Sequence, residues 1–174
     1  PATAKHYNLS VDNSFDERCD PVSSTNAAIN YLSKLHRQFG KWYLAAMAYN
    51  CGEGRLEKAI QKAGSDELSI LVDNGAKYLP LETREYIKKI LLVAMIGEGT
   101  MLDFPHEDDD IIQVSVRGGT DLNKLAETIK IKSSILLNLN KQFKKGMVPK
   151  AQAHYNINIP YEKMIMFYLG YEDY

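Results

Sequence analysis

The period of the hydrophobic pattern changes at residues 103–110, and that change constrains the fold more than any other feature of the chain. The stretch holds one proline and five acids, Asp103, Glu107, Asp108, Asp109 and Asp110, and reads as a solvated linker. Before it, apolar residues recur at spacings of three and four, as on helices; after it, Ile112, Val114 and Val116 alternate as on a strand. The pattern predicts a mainly helical body followed by a small mixed module.

In the helical part, Ser23 and Ser24 are good N-cap types. Behind them Ala28, Tyr31, Leu32, Leu35 and Phe39 share one face, and Gly40 is the stop. Residues 42–49 are apolar almost all round, which predicts a helix buried on most sides, ending in the polar cluster Asn50, Cys51 and Gly52 set inside a core. Leu56, Ala59, Ile60 and Ala63 form the inner face of the next helix, with Gly64 as its end. Pro80 suits a helix start; Ile87, Ile90, Leu91 and Ala94 then recur at the helical period until Gly97 and Gly99. Glu82 and Glu85 fall in its first turn and Lys88 and Lys89 follow, the order that complements the helix dipole.

Beyond the linker, Gly118-Gly119 turns the chain. Leu122, Leu125, Ala126 and Ile129 form one helical stripe, residues 135–139 a second, and Tyr155, Ile157 and Ile159 alternate as a closing strand before Pro160. The expected divisions are a helical part at 1–102, a linker at 103–111, a βααβ module at 112–160 and a tail at 161–174 that is rich in Tyr and Met.

Composition removes several function classes. The 21 Lys and Arg against 22 Asp and Glu leave a net charge of -1, so no global field holds nucleic acid, although Lys130, Lys132, Lys141, Lys144, Lys145 and Lys150 form a local patch. The longest apolar run, residues 90–96, is far short of the roughly 18 residues that cross a bilayer. His6, His36, His106 and His154 lack metal-ligand spacing, and two cysteines make no zinc cluster, so neither metal nor cofactor is expected. The start at Pro1, without an initiator Met or a signal stretch, reads as a cut end.

Several runs carry a family resemblance. They are Pro1-Ala2-Thr3-Ala4; Asp16-Glu17-Arg18-Cys19-Asp20-Pro21 with Ser24-Thr25 and Ala27-Ala28; Ala48-Tyr49-Asn50-Cys51-Gly52-Glu53-Gly54-Arg55; and Leu79-Pro80-Leu81-Glu82-Thr83-Arg84-Glu85-Tyr86-Ile87. In order and spacing they resemble successive blocks of the lytic transglycosylases of the membrane-bound type D group, the third run resembling the Ala-Tyr-Asn-Ala-Gly-Glu-Gly signature. The second part resembles a LysM module, with Gly119-Thr120-Asp121-Leu122 in place of the Gly-Asp-Thr-Leu turn, a Leu139-Asn140 pair and a strand ending in Ile159-Pro160.

The resemblance implies part of a lysozyme-like (goose-type, SLT) helical domain followed by a LysM-like module. It also implies cleavage of the bond between N-acetylmuramic acid and N-acetylglucosamine in peptidoglycan. One Glu serves as acid and then base while a sugar hydroxyl closes the anhydro ring, which departs from the two-carboxylate rule. That Glu is expected upstream of this chain, so the chain alone is expected to be inactive. By correspondence, Tyr49 and Asn50 bind substrate and Tyr86 supports the catalytic Glu. Glu53, Glu82 and Glu85 are expected as first-turn acids, and Asp16, Glu17 and Asp20 as capping and pairing groups near Arg18. Cys19 and Cys51 are left as free thiols or, in the periplasm, a disulfide. The expected partner is peptidoglycan. The expected location is the periplasm at the outer membrane, with an anchor outside this chain. Apolar surface on residues 42–49 and on the helix from Leu81 predicts self-association, or packing of the tail into the gap. A non-catalytic glycan-binding protein is the alternative.

Overall fold

A computed structural model describes residues 2–99 and 110–171, so most of the expected linker lies outside the described residues, as do His106 and the end of the tail. The elements begin with α1 (Ala2–His6), a 3₁₀ turn at Glu17–Cys19, α2 (Pro21–Phe39), α3 (Trp42–Cys51), α4 (Glu53–Ala63), α5 (Leu68–Leu71) and α6 (Leu81–Gly99). They continue with β1 (Ile111–Arg117), α7 (Leu122–Thr128), α8 (Ser133–Leu139), β2 (His154–Pro160), a 3₁₀ turn at Tyr161–Lys163 and α9 (Met164–Gly170). By packing, residues 28–99 form one unit, and residues 2–27 with 110–171 form another. This grouping and the segment boundaries read from the sequence are two different divisions of the chain.

The first unit is helical. Leu35 of α2, Leu44 and Met47 of α3, Leu56 of α4, Leu71 of α5 and Ile87 of α6 meet in one buried core, with Tyr31 and Phe39 packed against it. Helix α2 starts earlier than Ser23 and Ser24 suggest. Pro21 takes its first position, where a missing N–H costs nothing, and Asp20 accepts from the Ser23 amide at 3.1 Å and from the Ser23 hydroxyl. Ser23 therefore donates to the cap and does not provide it.

Helix α3 is covered on one side only: Leu44, Ala45, Met47 and Ala48 are buried, but Trp42 is 61% and Tyr49 40% exposed. Both ring types have polar tips that suit a wet rim, and the Trp42 ring stacks on His36 with centroids 4.1 Å apart. Helix α6 runs through Gly97 to Gly99, because one glycine costs a helix interior only about 1 kcal/mol against alanine. Its buried face is Thr83, Arg84 and Ile87; Ile90 and Ala94, expected inward, are exposed. The helix outruns the core it packs on.

The second unit closes on a two-stranded antiparallel sheet, with Val114 opposite Ile157 and Val116 opposite Tyr155. Leu122, Leu125 and Ala126 of α7 and Leu136 of α8 cover it. The turn after β1 needs its glycines: a Cβ on Gly118 would sit 2.3 Å from the Gln152 carbonyl oxygen, and Gly119 has φ +95°. Asn140 explains the Leu-Asn pair. Buried, it donates to the carbonyls of Leu136 at 2.9 Å and Asn158 at 2.7 Å, and accepts from the Asn158 amide at 2.8 Å, tying α8 to β2.

Residues ahead of α2 complete this core. Phe15 stacks on Phe143 at 5.1 Å and meets Tyr155 edge-on at 5.2 Å, the Asp16 amide donates to the Gln142 carbonyl at 2.9 Å, and the Asn158 side chain donates to Asp20 at 2.6 Å. The tail belongs here as well. Phe167 of α9 is buried in the same core, with Tyr171 stacked on it at 4.9 Å.

Candidate functional site

The site expected at Tyr49, Asn50 and Tyr86 lies in the helical unit, where α3 stops and α6 crosses it. Gly52 ends α3 with φ 89° and ψ 145°, a conformation suited to glycine, and its amide donates to the Ala48 carbonyl at 2.8 Å. The chain then re-enters helix at once as α4, which leaves Asn50 in the last turn of α3, half-buried rather than sealed inside the core. Its Oδ1 accepts from the buried Thr83 hydroxyl at 2.8 Å. Among the described residues its Nδ2 makes no hydrogen bond, so one end of the amide is fixed and the other presents two donors.

Thr83 and Tyr86 stand three residues apart on α6 and so share a face. Burial raises the proton affinity of the Tyr86 phenol, and the neighbouring Tyr49 phenol raises it further, so Tyr86 is a neutral hydroxyl at ordinary pH. Tyr49 also packs against Tyr31 of α2, ring centroids 5.4 Å apart. The structure thus brings Tyr49, Asn50 and Tyr86 together, and adds Thr83 and Tyr31. Thr83 lies inside one of the quoted sequence blocks and Tyr31 on the expected inner face of α2, but neither signals a role in the sequence alone.

The remaining polar groups serve the scaffold. Arg84 is buried and donates to the Leu79 carbonyl at 3.2 Å and to the Asn74 side chain, fixing the loop before α6. Glu53 pairs with Lys34 at 2.7 Å and also lies 3.5 Å from the Tyr31 hydroxyl, so it joins α4 to α2. Glu85 pairs with Lys88 at 3.0 Å. Asp16 caps the turn at Glu17–Cys19 and grips Arg18, which holds its carboxyl down at about 2; Glu17 accepts from the Ser10 amide at 2.6 Å. Both cysteines are free. Burial pushes the Cys51 thiol up, so it stays protonated, with the Thr83 hydroxyl against it partly opposing the shift.

An oriented amide with free donors, flanked by phenol rings, can recognise a ligand that combines a flat apolar face with an acceptor carbonyl. Family models match both parts of the chain. The transglycosylase SLT domain matches residues 1–71, and the LysM-like domain of lytic transglycosylase MltD matches residues 110–173, a span that takes in the tail. Over 146 residues the chain is 33% identical to membrane-bound lytic murein transglycosylase D of Escherichia coli K12, covering 80% of the chain. The chain belongs to the SLT-type lytic transglycosylases.

It spans about a third of that relative, 32% of its length. It is also 37% identical over 95 residues to peptidoglycan transglycosylase gp16 of Escherichia phage T7, covering 53% of the chain and 7% of the phage protein. A putative tributyltin chloride resistance protein of an Alteromonas strain matches at 44% over 61 residues, 34% of the chain and 30% of that protein. The fold is that of the family: a lysozyme-like helical part and a LysM-like module. No helix of the described residues is long and apolar enough to cross a membrane.

Proposed function

We propose that the helical unit grips the glycan strand of peptidoglycan beside the bond that a lytic transglycosylase cleaves, between N-acetylmuramic acid and N-acetylglucosamine. The observation that carries this reading is the Asn50 amide, anchored at Oδ1 by Thr83 and, among the described residues, unpaired at Nδ2. Its free donors suit the acetamido carbonyl of an amino sugar, and the Tyr49 ring offers the pyranose an apolar face. The proton donor is a glutamate outside these 174 residues. Glu53, the acid nearest Asn50 in sequence, is committed to Lys34 and is poorly placed to deliver a proton. Tyr86, a neutral hydroxyl on the same face as Thr83, supports the donor by hydrogen bonding.

On this reading the LysM-like module holds the wall, and the protein works in the periplasm at the outer membrane. Isothermal titration of the chain with chitotetraose tests the grip: Asn50→Ala is expected to weaken binding about tenfold, the equivalent of ~1.4 kcal/mol. Unchanged affinity overturns the assignment of Asn50. The chain alone, incubated with isolated sacculi, is expected to release no anhydro-muropeptides detectable by mass spectrometry; release of that product places the acid within it.

A further inference from the structure

Among the described residues of the helical unit, two rings of the Trp, Tyr and Phe types stay exposed, Trp42 at 61% and Tyr49 at 40%, and both belong to α3. They stand seven residues apart, within about 20° of two full helical turns, so they share one stripe and lie ~10 Å apart along the axis. Ala46 stands between them on that stripe and adds little bulk.

Each ring is backed by a ring of α2. Tyr31 lies against Tyr49 with centroids 5.4 Å apart, and His36 stacks on Trp42 at 4.1 Å, the two planes 20° from parallel. That stack covers one face of the indole, fixes its orientation and leaves the other face open. A flat apolar ring held in place but left in water suits a ligand with an apolar face and a polar rim, as a pyranose has. Charge points the same way. Lys41, next to Trp42 in sequence, is held by Asp66 at 3.1 Å and Glu67 at 3.2 Å, and Lys34, over the Tyr31 ring, is held by Glu53 at 2.7 Å. These lysines are taken up within the protein, so what the stripe offers is aromatic rather than ionic.

The spacing supplies the occupant. Two turns of helix come close to one disaccharide step of a β-1,4-linked glycan, so a strand with one amino sugar at Tyr49 and Asn50 brings its next equivalent sugar to Trp42 when it runs along α3. We propose that Trp42 is a second sugar platform of the glycan site, its open indole face receiving a pyranose one disaccharide away from the sugar gripped at Asn50. This step rests on the peptidoglycan reading above and deepens it: the site reads a length of strand laid along α3, not a single sugar.

The chain has one tryptophan, so its fluorescence reports Trp42 alone. Titration with chitohexaose should move that emission to shorter wavelength and protect it from acrylamide quenching, with the same midpoint as the shift of the Asn50 side-chain amide in NMR. Read at that amide, Trp42→Ala should weaken chitohexaose about fivefold, and chitobiose, too short to span both rings, less than about twofold. Trp42→Tyr should restore most of the loss. An equal loss for the two sugars would mean that the indole acts only by holding α3 in place, and overturns the platform. Unchanged emission while the Asn50 amide responds to chitohexaose sinks this inference alone. A responding Trp42 beside a silent Asn50 sinks the earlier reading instead, and silence of both toward either sugar sinks the two together.

Discussion

The two packed units finish their cores by opposite means. The sheet-bearing unit draws in residues from far along the chain: Phe15 fills the space between Phe143 and Tyr155, and Asp20 meets Asn158. The helical unit is built from neighbours in sequence, and on α6 it leaves Leu92, Val93 and Met95 at 58%, 66% and 71% exposed. Both units still present apolar side chains outward, the sheet-bearing one at Ile165 and Leu169 of α9, 65% and 80% exposed. Sequence distance, rather than composition, separates them, since long-range contacts can close a core that a two-stranded sheet and three short helices leave open.

Breaking that closure gives the largest expected effect. Phe15→Ala removes a buried ring from contact with two others and should cost about 3–5 kcal/mol. Urea unfolding followed at the amides of Val114 and Ile157 should report it, while the amides of Leu44 and Met47 keep their midpoint. A loss below about 1 kcal/mol would mean that the sheet unit closes without the early segment. Asp20→Ala comes next, at about 2 kcal/mol, because it takes one of the two acceptors from the buried Asn158 amide, which keeps only the Leu139 carbonyl, and removes the α2 cap. The Asp16 contribution is smaller and sharpens the same point through pH. Its carboxyl lies at about 2 against an ordinary 3.8, because Arg18 bonds the ionised form. The stability it brings is complete above about pH 4 and is lost as pH falls through 2. Asp16→Asn should flatten the acid limb of the melting temperature over that range; an unchanged limb would place the acid sensitivity elsewhere.

Legibility follows the same division. The helical periods, both strands of the sheet and the glycine turn are readable locally, since Val114, Val116, Ile157 and Ile159 alternate inward within single segments. The packing of Phe15 and Asp20 is not, because no local period records that a loop residue fills a core about 130 residues away along the chain. Trp42 and Tyr49 misled by hydrophobicity alone, their ring edges being content at a wet rim. Asn50 and Tyr86 could be nominated from the run around each, but the Thr83 hydroxyl that orients Asn50 emerges only when α6 crosses α3.

That bond supplies a smaller prediction. Thr83→Val keeps the buried shape and removes the donor, so Asn50 can rotate, and chitotetraose binding should weaken about fivefold, or ~1 kcal/mol. Thr83→Ser should restore most of it, which a merely steric role for the side chain would not. Equal binding by the Val variant would mean that Asn50 needs no orienting partner.

The smallest expected effect probes the outward face of α6. Leu92 and Val93 lie beyond the last core contacts of α6, so Leu92→Ala and Val93→Ala should each change the unfolding free energy of the helical unit by less than about 0.5 kcal/mol. Leu35→Ala in the same unit should cost about 2–5 kcal/mol. Exposed apolar side chains on one helix can serve contact with another body instead of folding. Sedimentation velocity of the Leu92→Ser, Val93→Ser double variant separates the two roles. If the chain self-associates, the variant should shift toward monomer at unchanged stability; a fall in stability would show that α6 is already covered in solution.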